Sequence, residues 1–262
     1  MAPHLSTPTR TGTSRGVVVV KAVPQASGRH GETVCVAAMD EYGHWHRLCP
    51  VNFRDLRIDQ RFGRWDQIEF KWRLPEASKD RRGESKRVDQ ESIRVVGFLK
   101  RSERLRYVQT AFVESTDAEY KKGRSLALVR PEKPTFIHKA RTAEEIARVR
   151  RGYQEIQSSP DLFGTNDIVP REAAPFEFFY RYTVGSSLHE QRCHDWETEQ
   201  TFLNWRDSYG EEVALREMHR VFGEEYPEKG MALAMGTHGQ RNWQWMIIGV
   251  LRLDKVAQES FL

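Results

Sequence analysis

Between residues 17 and 97, short runs of β-branched and aromatic residues are separated by turn-forming ones, the pattern of strands rather than helices. Five runs stand out, at 17–23, 32–39, 44–50, 67–74 and 92–98, with turn chemistry between them at 28–31, 41–43, 54–63 and 79–84. In the fourth run Ile68, Phe70 and Trp72 alternate with Glu69, Lys71 and Arg73, which gives one buried and one wetted face. Five short strands with few helices between them suit a small barrel or tightly curled sheet, because closure removes exposed edges.

From residue 100 the pattern breaks. The chain is charged and interrupted by Pro131 and Pro134, with a short strand at 125–129, and 100–174 reads as a connector. Within it Thr142 and Glu145 form a capping-box signature, and Ile146, Val149, Tyr153 and Ile156 follow at helical spacing. This predicts an amphipathic helix over 143–157, its outer face carrying Arg148, Arg150 and Arg151. Three prolines and a glycine make 158–175 a linker. A strand at 176–184, a helical region over 196–222 interrupted at Gly210, and a strand pair at 231–235 and 243–251 complete the chain. The expected fold class is α+β: a small N-terminal β-barrel-like domain over 16–99, followed by a C-terminal α+β domain over 175–262.

Composition refines this picture at the edges. With 39% hydrophobic residues, 30% charged and a mean hydropathy of −0.68, the chain is polar but rich enough in aromatics to fold. Residues 1–15, rich in Ser, Thr and Pro, read as a disordered leader. The run 17–20 is far shorter than a membrane helix needs, so no membrane partner is expected. Cys35, Cys49 and Cys193 are too few and too scattered for a disulfide framework, which points to a reducing, cytoplasmic setting. Cys35 and Cys49 lie in apolar runs and read as small packed hydrophobes.

A formal charge of +4 permits an anionic partner without requiring one. The barrel region interleaves Lys21, Arg47, Arg54, Arg64 and Lys71 with Trp45, Phe53, Phe62, Trp65 and Trp72. Cations on phosphates and rings on bases would suit nucleic acid; the plainer account is that the rings fill a core and the cations sit in solvent. A second candidate is the Asp195-Trp196-Glu197 segment with His189 upstream. Its two carboxylates either start a helix, or act with His238 in acid–base chemistry or with His189 in holding a divalent cation. A structural zinc site from His189, Cys193 and His194 lacks a fourth ligand. The polar loop 235–243 could offer His238, Gln240 and Arg241 to a phosphate or base, or be a hairpin turn. No P-loop, dinucleotide-binding glycine fingerprint, nucleophile elbow or zinc-protease motif occurs.

Several segments together carry a resemblance. They are Lys21-Ala-Val-Pro24 with Ser27, the run from Gly31 to Ala37, the run from Trp45 to Arg54, residues 62–68, 125–129, Asp195-Trp196-Glu197 and Gly236-Thr237. In these the chain resembles an uncharacterised family of bacterial and archaeal proteins. The resemblance implies a DNA-related accessory role in mobile or defence regions, including antiviral defence. It also implies a zinc knuckle before the Asp-Trp-Glu motif in some relatives; here His189 takes the matching place, but Ser186 stands where a cysteine is expected. The expectation is a nucleic-acid-binding protein. The alternatives are a metal-assisted nuclease or hydrolase acting on a modified base, and a non-catalytic subunit that binds protein partners.

Overall fold

The computed structural model describes residues 10–27, 31–158, 170–239, 241 and 243–254. The expected leader lies partly outside them; from Thr11, where it was expected to continue, the chain is already a strand. Strand β1 (Thr11–Lys21) pairs on one side with β5 (Asp66–Arg73) and on the other with β3 (Gly31–Met39). Strand β6 (Ser85–Phe98) follows β5, and β4 (Trp45–Val51) follows β3. A short parallel contact of Arg47 and Leu48 with Ser85 and Lys86 joins β4 to β6 and closes the ring. The ring order β1-β3-β4-β6-β5 makes a closed five-stranded barrel, the Greek-key arrangement of an OB-fold, with its third and fifth strands parallel. A short strand β2 (Gln25–Ser27) is added beside β3 in the loop between the first two barrel strands.

Period-two alternation explains the barrel's interior. Ile68 and Phe70 of β5 point inward to meet Val18, Val34, Val36, Leu48, Val88 and Ile93. Phe62, Trp65 and Trp45 are buried as well, so the plain account of the aromatics holds for them. Trp72 shares the inward face of β5 and packs half-buried against this core; its Nε1–H donates to Ser14 and the ammonium of Lys86 stands 3.5 Å from its ring.

After helices α1 (Arg104–Val108) and α2 (Thr116–Lys121), the stretch read as a connector proves to be sheet-forming. Strand β7 (Leu126–Val129) pairs with β11 (Met231–Thr237), which pairs with β12 (Trp245–Arg252). Strand β8 (Glu132–Ala140), absent from the sequence expectation, pairs with β9 (Phe176–Val184), and β9 pairs with β10 (Ser187–Arg192). Pro134 is tolerated because β8 is an edge strand. Helix α3 (Ala143–Ser158) follows, with the Thr142–Glu145 capping box made in both directions. Helices α4 (Trp196–Tyr209) and α5 (Glu211–Met218) meet at Gly210, φ +84°, and continue through a π-helical segment (His219–Glu225) into α6 (Tyr226–Lys229).

The sheet of β7, β11 and β12 is buried on both faces, which is why 231–236 reads as an unbroken apolar run. Leu126, Leu128, Ala232, Ala234, Ile248 and Leu251 face the barrel residues Val17, Val19, Ala37 and Met39. The alternate residues Ala127, Val129, Leu233, Met235, Ile247 and Val250 face the aromatic layer of β8 and β9 and helices α4 and α5. The barrel and the second unit therefore share one apolar interface. No helix among the described residues is long and apolar enough to cross a membrane.

Candidate nucleic-acid interface

The expected catalytic pair sits in this interface and is already occupied. Asp195 caps α4 and is 1% exposed. One of its oxygens accepts from Arg64 Nη2 at 2.6 Å, and the other accepts from the Thr198 hydroxyl at 3.0 Å and the Val250 N–H at 3.2 Å. Glu197 is ion-paired with Arg64 at 3.2 Å and with Lys21 at 3.7 Å. Arg64 also donates to the Val250 carbonyl. Burial pushes the Asp195 carboxyl up, Arg64 opposes it and Glu197 adds to it; for Arg64, Asp195 and Glu197 outweigh the cost of burial and raise its pKa. A guanidinium and an ammonium stand where a divalent cation would have to bind. The four side chains make a clamp between the barrel and the second unit.

The other expected positions scatter. His189, on β10, stacks on Tyr182 at 5.2 Å from a strand on the outer sheet, while Asp195 lies in the interior. Among the described residues, no group of three His, Cys, Asp or Glu could hold a metal ion. His238 sits in the β11–β12 turn, where its N–H donates to the Gln244 carbonyl and its Nδ1 accepts from the Arg241 N–H. Arg241 is exposed, and Gln240 lies outside the described residues. His189 and His238 thus lie on other elements than the Asp195–Glu197 pair, which Arg64 and Lys21 already hold.

The barrel cations are likewise mostly committed. Lys21 donates to the Phe62 carbonyl and lies against the Phe53 and Trp196 rings. Buried Arg47 donates to the Ser125 carbonyl at 2.7 Å, and Arg54 makes a bidentate pair with Glu32 at 2.7 and 2.8 Å. Lys71 is exposed, beside Glu69 and Asp89. A phosphate backbone would have to break internal bonds to reach Lys21, Arg47 or Arg64.

A different place gathers cations. The loop after β1, with Val23 to Ala26, faces α3 across a crevice of about 470 Å³. Arg141, Arg148, Arg151, Arg171 and Arg192 line it with His194, against the three carboxylates of Glu145, Glu155 and Glu177. Its floor is a chain of buried polar groups. Arg54 holds Glu32, Glu32 accepts a short hydrogen bond from the Tyr153 hydroxyl, and Arg171 stands 3.0 Å from Glu199. Arg141 lies 3.6 Å from Glu199 and 3.8 Å from Glu177, and Arg192 2.6 Å from Glu177.

In that floor three guanidiniums, those of Arg141, Arg171 and Arg192, share two carboxylates. The Arg141 side chain is 6% exposed, and its Nε makes no hydrogen bond. Its burial lowers its pKa even with Glu199 nearby. Arg148 and Arg151 are exposed at the rim. His194 is held down to about 4, chiefly by burial and then by Arg192, with His238 adding to the effect, so it is neutral near pH 7. An under-neutralised group of arginines beneath an open crevice is chemically an anion-binding site.

Sequence reasoning saw the Arg148, Arg150 and Arg151 face of α3 but not Arg141, Arg171 or Arg192, which come from three separate segments. A second crevice, of about 400 Å³, lies at the loop between β5 and β6, with Lys79, Arg81, Arg82 and Arg124 around Asp80. Residues 109–262 match the family model described as Domain of unknown function (DUF8757), and residues 13–112 match the one described as Domain of unknown function (DUF8758). No curated protein matches the chain.

Proposed function

The chain belongs to the DUF8757 family, and from the crevice itself we propose that it binds nucleic acid, with the phosphate backbone held in the arginine-lined crevice between the first barrel loop and α3. The observation that carries this reading is the surplus of guanidinium over carboxylate in the crevice floor, with Arg141 buried and short of a hydrogen bond. Arginines satisfied by their own carboxylates would be structural; these leave positive charge to be matched from outside.

The barrel supports the same reading from a second side. OB-fold barrels bind oligonucleotides and oligosaccharides on the face of their second and third strands and in the loops after the first and fourth. Here the loop after β1 walls the first crevice and the loop between β5 and β6 walls the second, so cations gather at both loops. Fold alone assigns no ligand, and the charge is what selects an anionic one. The Asp195–Arg64 clamp favours binding over hydrolysis, since Asp195 is buried and the half-exposed Glu197 is already paired with Arg64 and Lys21. The accessory role in prokaryotic DNA processing or defence is the setting that this proposal adopts.

The test is titration of the full chain against labelled single- and double-stranded oligonucleotides at a low and a physiological salt concentration. Phosphate contacts predict affinity that falls steeply as salt rises. Absence of binding at low salt would remove the proposal.

A further inference from the structure

Cys35 and Cys49 are 14 positions apart in sequence, yet adjacent strands bring their sulfurs to 3.1 Å. Val34 and Val36 on either side of Cys35 point into the barrel core, as does Leu48 beside Cys49. The two thiols therefore share the outer face of β3 and β4, and both are half-buried. About 1 Å of closure separates them from an S–S bond of ~2.05 Å.

The surroundings favour a thiolate on one of the two. Arg47 and Arg82 act on Cys35 through space, and Arg47 is held in place by Ser125. The hydrogen bond from Cys49, followed by those arginines, brings Cys35 down to about 6, while the same bond and burial raise Cys49. Cys193 gives an internal comparison: it is buried in the second unit's core, and burial pushes it up to about 12.

We propose that Cys35 and Cys49 are a redox-reactive modification site that closes into an intramolecular disulfide on exposure to a peroxide, with Cys35 as the attacking sulfur. The Cys35 thiolate attacks one peroxide oxygen and the O–O bond breaks. Cys35 becomes a sulfenic acid, and the departing hydroxide takes up a proton as water. The Cys49 sulfur then attacks the Cys35 sulfur, losing its own proton, and the sulfenic oxygen leaves with that proton as a second water. Two thiols lose two electrons in all, and hydrogen peroxide is reduced to two waters. The product ties β3 to β4 across the face that barrels of this type use for ligands.

The experiment treats the purified full chain with hydrogen peroxide, alkylates it with N-ethylmaleimide, and reads intact mass and linked peptides. The expected result is a chain lighter by two hydrogens before alkylation, with one disulfide joining Cys35 to Cys49. Dithiothreitol restores both thiols, and Cys193 is alkylated only after denaturation. Cys49→Ser is expected to stop at a sulfenic acid on Cys35, trapped by dimedone, and Cys35→Ser to lose the reaction. Three thiols still alkylatable after peroxide, or a disulfide between two chains, would overturn the proposal. Peptide mapping of the unaltered chain decides this even where a variant fails to fold.

Discussion

Replacing Asp195 by Asn leaves the shape of the helix cap almost unchanged and removes the charge that faces Arg64. The Arg64 side chain is 7% exposed, so it cannot turn to water for compensation. Breaking a buried ion pair from one side costs about 3–5 kcal/mol, because the remaining charge is stranded. Glu197 still stands 3.2 Å from Arg64 and is itself 39% exposed, which offsets part of that loss. The new amide has one oxygen where the carboxylate had two acceptors for Arg64, Thr198 and the Val250 N–H, so at least one of these donors goes unmatched. The expected loss is therefore about 3 kcal/mol, at the lower end of the range. Equilibrium unfolding in urea of the full chain measures it as a lower midpoint at unchanged slope. A loss below about 1 kcal/mol, accompanied by abolished turnover of any substrate, would refute the structural reading of Asp195 and restore the catalytic one.

The crevice also has a pH signature. His194 is held at about 4 in the folded chain and returns to about 6.5 when unfolded, so the unfolded chain takes up the proton first. Its contribution is complete above about pH 6.5 and is lost as pH falls toward 4, at most about 3 kcal/mol; His194→Gln should flatten that part of the melting-temperature profile. Thr142→Ala removes the cap that donates to and accepts from Glu145 at the start of α3, and thermal unfolding should show a cost of about 1 kcal/mol. Gly236→Ala would put a Cβ 2.5 Å from Ile248 Cδ1 between two buried strands, and urea unfolding should show a cost of about 1–3 kcal/mol from overpacking.

Local signals in the sequence were strong where one face of an element is apolar. The alternation of Ile68, Phe70 and Trp72 marks β5, and Thr142 with Glu145 marks the start of α3. Strand β8 escaped because Phe136 is its one fully buried side chain and Pro134 interrupts it, which leaves no period-two pattern to read. The crevice was illegible for a different reason. Arg141, Arg171 and Arg192 each look like ordinary surface arginines, and only the folding of α3 against the first barrel loop sets them over shared carboxylates. The Cys35–Cys49 approach depends on the β3–β4 register, including its irregularity between Val34 and Val36, which no spacing rule supplies. Asp195 and Glu197 stood out as paired carboxylates, yet their partners Arg64 and Lys21 are more than a hundred residues away in the chain.

The central claim is that phosphates meet the chain at the crevice beside α3, and the salt dependence of affinity in Arg148→Gln/Arg151→Gln tests it most directly. Both side chains are exposed at the crevice rim, so the double variant should fold as the parent does. With a single-stranded oligonucleotide, loss of two phosphate contacts should weaken binding and make the slope of log affinity against log salt shallower by about 1.4, at roughly 0.7 per contact. An affinity and slope identical to those of the parent chain would place the nucleic acid elsewhere and contradict the claim.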